Sequence, residues 1–169
     1  MRILGIDPGI ATVGFGVIEA DGSDLKMIRC GVISTKAGLR LSVRLRQIYD
    51  DMLELIDMFK PDAMAIEELF FNTNITTGIS VAHGRGVIIL AGEERQIPMF
   101  EYTPLQIKLA LTGYGRAEKR QMMDMVKRQL GMSETAKPDD ASDALAAAIC
   151  HARYSNSLMG RGEDACSTI

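Results

Sequence analysis

The chain has 169 residues, 47% of them hydrophobic and 24% charged, with a formal net charge of -3. That length suits one domain with a full core, and that balance predicts a globular chain, not a disordered one. No run of about 18 uncharged apolar residues occurs, and no basic segment leads into an apolar signal core, so neither a membrane span nor a secretory leader is expected. Cys30, Cys150 and Cys166 are odd in number and lack metal-ligand spacing, which predicts reduced thiols in a cytoplasm. His83 and His151 are the only histidines, which excludes a multi-histidine metal site.

Residues 1–17 read as two strands joined by a tight turn. Ile3, Leu4 and Ile6 form the apolar run of a strand buried on both faces, and that run delivers Asp7 into Pro8-Gly9. Val13, Phe15 and Val17 then alternate with Gly14 and Gly16 in a second strand. A carboxylate on a central strand is costly to bury unless it is paired or holds a metal. Asp7 could instead simply cap the turn through its own backbone. The glycines nearby leave room for something bulky to approach it. Gly22 marks the next turn, and Met27 to Thr35 is the third strand of an antiparallel set.

The period then changes. Leu41, Leu45, Ile48, Met52, Leu55, Ile56 and Phe59 lie on one helical stripe, ended by Lys60-Pro61-Asp62. Ala63 to Glu68 is a fourth strand that, like the first, ends in acid. A right-handed strand–helix–strand crossover sets this strand parallel to the first, so Asp7 and Glu67 become neighbours at one sheet edge. Open sheets of this kind hold ligands outside their strand C-termini. Strand alternation puts Glu67 and Glu68 on opposite faces.

Residues 69–74 form a loop whose Phe70 and Phe71 are either core plugs or a stacking platform. Ile75 to Arg95 is a second helix rich in small residues. Ile97 to Tyr102 is a fifth strand, and Thr103-Pro104 opens a short helix to about Leu111. Ala117 to Leu130 is a helix stopped by Gly131. From Pro104 to Leu130 six basic residues face only Glu118 and Asp124, a local surplus of four on an acidic chain, compatible with phosphate binding or with a solvated face. The final helix runs from Asp139 to about Tyr154. Asp140 and Asp143 share one of its faces, and Ala144, Ala146, Ala147 and Ala148 suit a helix lying close on a sheet. Residues 156–169 are expected to be a disordered tail behind a domain of residues 1–155.

Asp7, Glu67, Asp140 and Asp143 offer oxygen ligands only, which favours Mg²⁺ or Mn²⁺ over zinc. Four such carboxylates could hold two ions roughly 3.5–4 Å apart, the arrangement of two-metal phosphoryl transfer. Lys119 or Lys108 could neutralise charge on the phosphate.

The motifs Gly5–Gly9, Ala65–Phe70, Ala82–Gly86, Ala117–Lys119 and Asp140–Ala146, in this order, resemble the RuvC family of bacterial Holliday-junction resolvases. The resemblance spans residues 1–154 and implies an α/β, RNase H-like fold: a central five-stranded mixed sheet, three antiparallel strands then parallel ones, flanked by helices. It implies that Asp7, Glu67, Asp140 and Asp143 are the metal ligands, with Lys119 in the catalytic set. It maps a junction-contacting aromatic onto Phe70 and two important lysines onto Lys108 and Lys119. The expected DNA-contacting set adds Arg116 of the basic segment and Arg85 of the Ala82–Gly86 motif. The family further implies a homodimer, four-way junction DNA as substrate, paired Mg²⁺-dependent nicks near the crossover, and a branch-migration complex as partner.

Three other readings compete. A small RNA-processing nuclease of the same fold would share the acids without needing Phe70 or a symmetric dimer. An actin-like kinase module would need two such domains. A non-catalytic nucleic-acid adaptor would carry four acids that weaken phosphate binding unless metal neutralised them. Residues 78–90 are expected to contribute the dimer face through their small residues.

Overall fold

The computed structural model describes residues 1–69 and 75–164. Its strands are β1 (Arg2–Asp7), β2 (Thr12–Asp21), β3 (Asp24–Ser34), β4 (Ala63–Glu67) and β5 (Met99–Tyr102). The helices are α1 (Leu41–Phe59), α2 (Ile75–Glu94), α3 (Pro104–Thr112), α4 (Lys119–Gln129) and α5 (Asp139–Asp164). The sheet order is β3-β2-β1-β4-β5, antiparallel across β1 to β3 and parallel from β1 through β4 to β5. This is the five-stranded mixed sheet that the sequence predicts.

Strand β1 is sealed on both faces, as its uninterrupted apolar run requires. Ile3 packs into a core shared with α3, α4 and α5, whereas Leu4 and Ile6 pack into a second core with α1 and α2. Helix α1 buries Ile48, Met52 and Ile56 of its predicted stripe but leaves Leu41 exposed. It ends where Lys60 turns left-handed at φ 47 and donates its N–H to the Ile56 carbonyl. The crossover from β1 through α1 to β4 pairs Ile6 with Ile66 and so sets Asp7 beside Glu67.

Helix α5 is laid along β1 and β2 at unusually short range. A Cβ on Gly5 would stand 2.0 Å from the Ala144 carbonyl oxygen, and one on Gly14 would stand 2.0 Å from that of Asp140. The bulky neighbour that the glycines admit is therefore a helix backbone. The run of small residues on α5, with Ala141, Ala144, Ala147 and Ala148 fully buried, completes that fit.

Several boundaries differ from expectation, each for a local reason. Strand β5 begins at Met99, not Ile97, because Gln96 and Ile97 donate back to Glu93 and Gly92 to close the end of α2. Helix α4 begins at Lys119, not Ala117, because the Ala117 N–H closes a turn onto Tyr114 and Glu118 is extended. Helix α5 runs past the expected end at Tyr154 to Asp164. Ser155 hydrogen-bonds the His151 carbonyl and Asn156 donates to the Gly22 carbonyl at 2.6 Å, so the helix finds partners beyond its apolar stretch. Residues 165–169, Cys166 among them, lie outside the described residues. Among the described residues no helix is long and apolar enough to cross a membrane.

The Gly5 contact yields a stability prediction. Gly5→Ala should lower the unfolding free energy in urea by about 3 kcal/mol or more, because the obstacle is backbone and cannot rotate away. Adding Ala148→Gly should not restore stability, since the Ala144 carbonyl remains in place. Wild-type stability from Gly5→Ala would contradict the close approach of α5.

Candidate active site

The site lies where three elements end together. Asp7 closes β1, Glu67 closes β4, and Asp140 and Asp143 occupy the start of α5. Asp139 and Asp140 sit in the first helical turn, where the helix dipole favours negative charge by about 0.3–1 kcal/mol each. All four expected carboxylates are half-buried. Asp7 feels the negative charge of Glu67, Asp143 and Asp140, and Glu67 feels that of Asp143. The four are thus one electrostatic cluster.

Burial is the first cause of the result, and mutual repulsion the second. Together they push the Asp7 carboxyl up to about 7 and that of Glu67 to about 7. Two lysines oppose this. The Lys119 ammonium, on the first residue of α4, hydrogen-bonds the Asp143 carboxylate and holds down the acidity shift of both Asp7 and Glu67. Lys108, on α3, does the same for Glu67. Glu67, Asp143, Lys108 and Lys119 line one cleft of about 250 Å³, walled by Pro104, Ile107, Met122 and Ala146.

Local chemistry places both lysines. Thr103 caps α3 by accepting from the Gln106 N–H at 3.2 Å, with Pro104 in the first turn, and Gly113 ends it at φ 70. The Glu118 N–H donates to the Gln121 side chain at 2.9 Å, fixing the start of α4 and hence Lys119.

The adjacent acids separate as strand alternation predicts. Glu68 lines a different cleft, with Leu69, Ala82, Arg85 and Glu101. Arg85 is ion-paired to Glu101 at 2.7 Å, mostly buried, and its Nε lacks a partner. It is therefore held against β5 and is not displayed freely to solvent. Arg116 is exposed. Phe70 lies outside the described residues, as do residues 71–74. His83 is exposed on α2, whereas His151 is buried, hydrogen-bonded through Nδ1 to the Tyr102 hydroxyl at 2.8 Å and stacked near Phe100. Burial lowers the pKa of His151, so its ring sits neutral in this network. The Lys119–Asp143 and Arg85–Glu101 pairs are geometry that sequence reading missed, since each joins elements far apart in the chain.

A family model described as crossover junction endodeoxyribonuclease RuvC matches residues 3–151. The chain belongs to the RuvC family. It is 53% identical over 154 residues to the crossover junction endodeoxyribonuclease RuvC of Brevibacillus brevis, covering 91% of this chain and 93% of the relative. Its fold is similar to the Thermus thermophilus RuvC structure, with a TM-score of 0.85 and 35% identity over 95% of this chain and 97% of that one. A second T. thermophilus RuvC structure, in complex with Holliday junction substrate, superposes with the same TM-score of 0.85 at 32% identity, again over 95% and 97% of the two chains. The mixed sheet and its flanking helices are thus those of an RNase H-like RuvC fold.

The donor set fits a hard divalent cation. It consists of carboxylate oxygens alone, and their repulsion is relieved only in part by two lysines. The carboxylates are not drawn around a single point: among the described residues no three such side chains form a closed metal-binding group. Asp143 is instead turned toward Lys119.

The raised carboxyl pKa values carry a sign for stability. Folded Asp7 keeps a proton that the unfolded chain releases above about pH 4, so this contribution is full below pH 4 and is lost as pH rises through about 7. Asp7→Asn should therefore stabilise the metal-free protein at pH 8 by about 1–3 kcal/mol. The same variant should flatten the fall in melting temperature between pH 5 and pH 8. Calorimetry in EDTA measures both, and an Asp7→Asn protein less stable than wild type at pH 8 would contradict the electrostatic cluster.

Proposed function

We propose that this chain is a structure-selective endonuclease that resolves four-way DNA junctions. It does so by paired, Mg²⁺-dependent hydrolysis on two strands, during recombination and repair in the bacterial cytoplasm. The observation that carries the reading is the electrostatic cluster of Asp7, Glu67, Asp140 and Asp143, of which Glu67 and Asp143 share one cleft with Lys108 and Lys119, in a chain of the RuvC family.

The roles follow from position. Asp7 is paired with Gly14 on β2 and Glu67 with Tyr102 on β5, so both offer rigid oxygen donors. Asp140 and Asp143 complete the set from α5. Two Mg²⁺ ions held there, or Mn²⁺ in their place, would supply an activated water and stabilise the leaving oxygen. Lys108 and Lys119 meet the non-bridging oxygens of the phosphate and offset charge that grows there in the transition state. Phe70 takes the role of the junction-contacting aromatic that the family resemblance implies, stacking on a base. Arg116 adds an exposed backbone contact. Arg85 orders the wall on the far side of β4 and reaches DNA only where its pair with Glu101 opens.

Junction symmetry calls for two such sites, and α2 supplies a face for pairing. Ile79 and Leu90 are 54% and 56% exposed, and Ala82, His83 and Gly86 lie exposed between them at helical spacing. A Cβ on Gly86 would meet nothing within 4 Å, so a partner helix can approach closely there. The second copy binds along this stripe, and a branch-migration complex delivers the junction.

Asp143→Asn should abolish cutting of a four-way junction, by at least about a hundredfold, while junction binding is kept or improved. Gel shift beside a cleavage assay separates the two effects, and normal cutting by the variant would sink the assignment. Leu90→Lys should convert the dimer to a folded monomer in analytical ultracentrifugation. A dimer that survives the charge would place the interface elsewhere.

A further inference from the structure

Lys119 is bonded to a carboxylate that the proposed chemistry needs. Its ammonium hydrogen-bonds Asp143 and senses Asp139 and Asp7, so the cation at the centre of the acid cluster belongs to the protein. Taking the four acids as the metal set, as proposed above, we infer that Lys119 is a built-in competitor of the metal. It occupies Asp143 when DNA is absent and must release that carboxylate before a divalent ion can recruit it.

Three observations support a displaceable pair. The first is exposure: the Lys119 side chain is 52% exposed and that of Asp143 28%, so the ammonium can return to water at small cost. The second is geometry: the pair lines the cleft that Lys108 also faces, so a released ammonium stays beside the place a phosphate would occupy. The third is the lack of any three carboxylates gathered as a closed metal-binding group among the described residues, with Asp143 drawn off toward Lys119.

The consequence is coupling between the two ligands of the site. A phosphate gives Lys119 a second anion to bind, and a metal gives Asp143 a second cation. Each exchange favours the other, so metal and DNA bind with positive cooperativity, and the protein free of DNA holds metal weakly. Such a device keeps the hydrolytic centre incomplete until a strand lies in the cleft.

Isothermal titration of the intact, DNA-free protein with MgCl₂ at fixed ionic strength tests this. Removing the competitor in Lys119→Met should tighten Mg²⁺ binding about three- to tenfold, although the same variant cuts junctions poorly. Lys119→Arg retains the cation and should bind no tighter than wild type. Equal or weaker binding by Lys119→Met would overturn the inference. Asp7→Asn tests the underlying site separately: if it binds Mg²⁺ as wild type does, the ligand assignment itself fails, whatever Lys119→Met does. A direct readout that needs no variant is the NMR signal of the Lys119 Nζ protons. Mg²⁺ should remove their protection from exchange, and protection that persists at saturating Mg²⁺ would also overturn the inference.

Discussion

The close contact of α5 with β1 and β2 is the constraint on which the rest depends. A carboxylate at a strand end is common; four of them in one electrostatic cluster require a helix start to be brought against a sheet edge. Gly5, Gly14 and Gly16 on the strands and the alanines of α5 remove the side chains that would keep the two layers at ordinary distance. The helix can then place Asp140 and Asp143 against Asp7 through backbone packing alone. Glycine in a strand weakens it by lost side-chain burial and added chain entropy. Here that weakness is offset by a buried interface that fixes the site.

The same compactness makes the site electrostatically unfavourable when it stands alone. Burial first, and repulsion among the acids second, hold protons on Asp7 and Glu67 near neutral pH. A core selected only for stability would place apolar groups there. Strain of this kind is expected where a binding event, and not folding, uses the charge. The lysines moderate it without removing it, and Lys119 does so by holding Asp143. On the function proposed here, stability, metal affinity and substrate binding are therefore linked through one short stretch of side chains.

Much of this was legible in the sequence because it rests on short-range pattern. The apolar run into Asp7, the second acid-ended strand and the handedness of the crossover between them suffice to set Asp7 beside Glu67. The spacing of Asp140 and Asp143 puts them on one helix face, and alternation separates Glu67 from Glu68. What was not legible depends on how separate elements dock. The pairing of Lys119 with Asp143 needs α4 to be set against α5, and no local period reports that. Arg85 reads as a free cation until β5 brings Glu101 to it. Likewise His151 gains a role only when Tyr102 and Ser155 close around its ring. Helix α5 outlasts its apolar stretch because Asn156 reaches the turn between β2 and β3, a contact across most of the chain.

The most direct test offers the intact protein a synthetic four-way junction, a linear duplex of the same sequence and a hairpin RNA, each in Mg²⁺ and in EDTA. Paired nicks confined to the junction and lost in EDTA are the predicted result. Cutting that persists in EDTA would contradict the role given to the four carboxylates. Cutting of the RNA alone would keep the acid site but transfer its function to RNA processing.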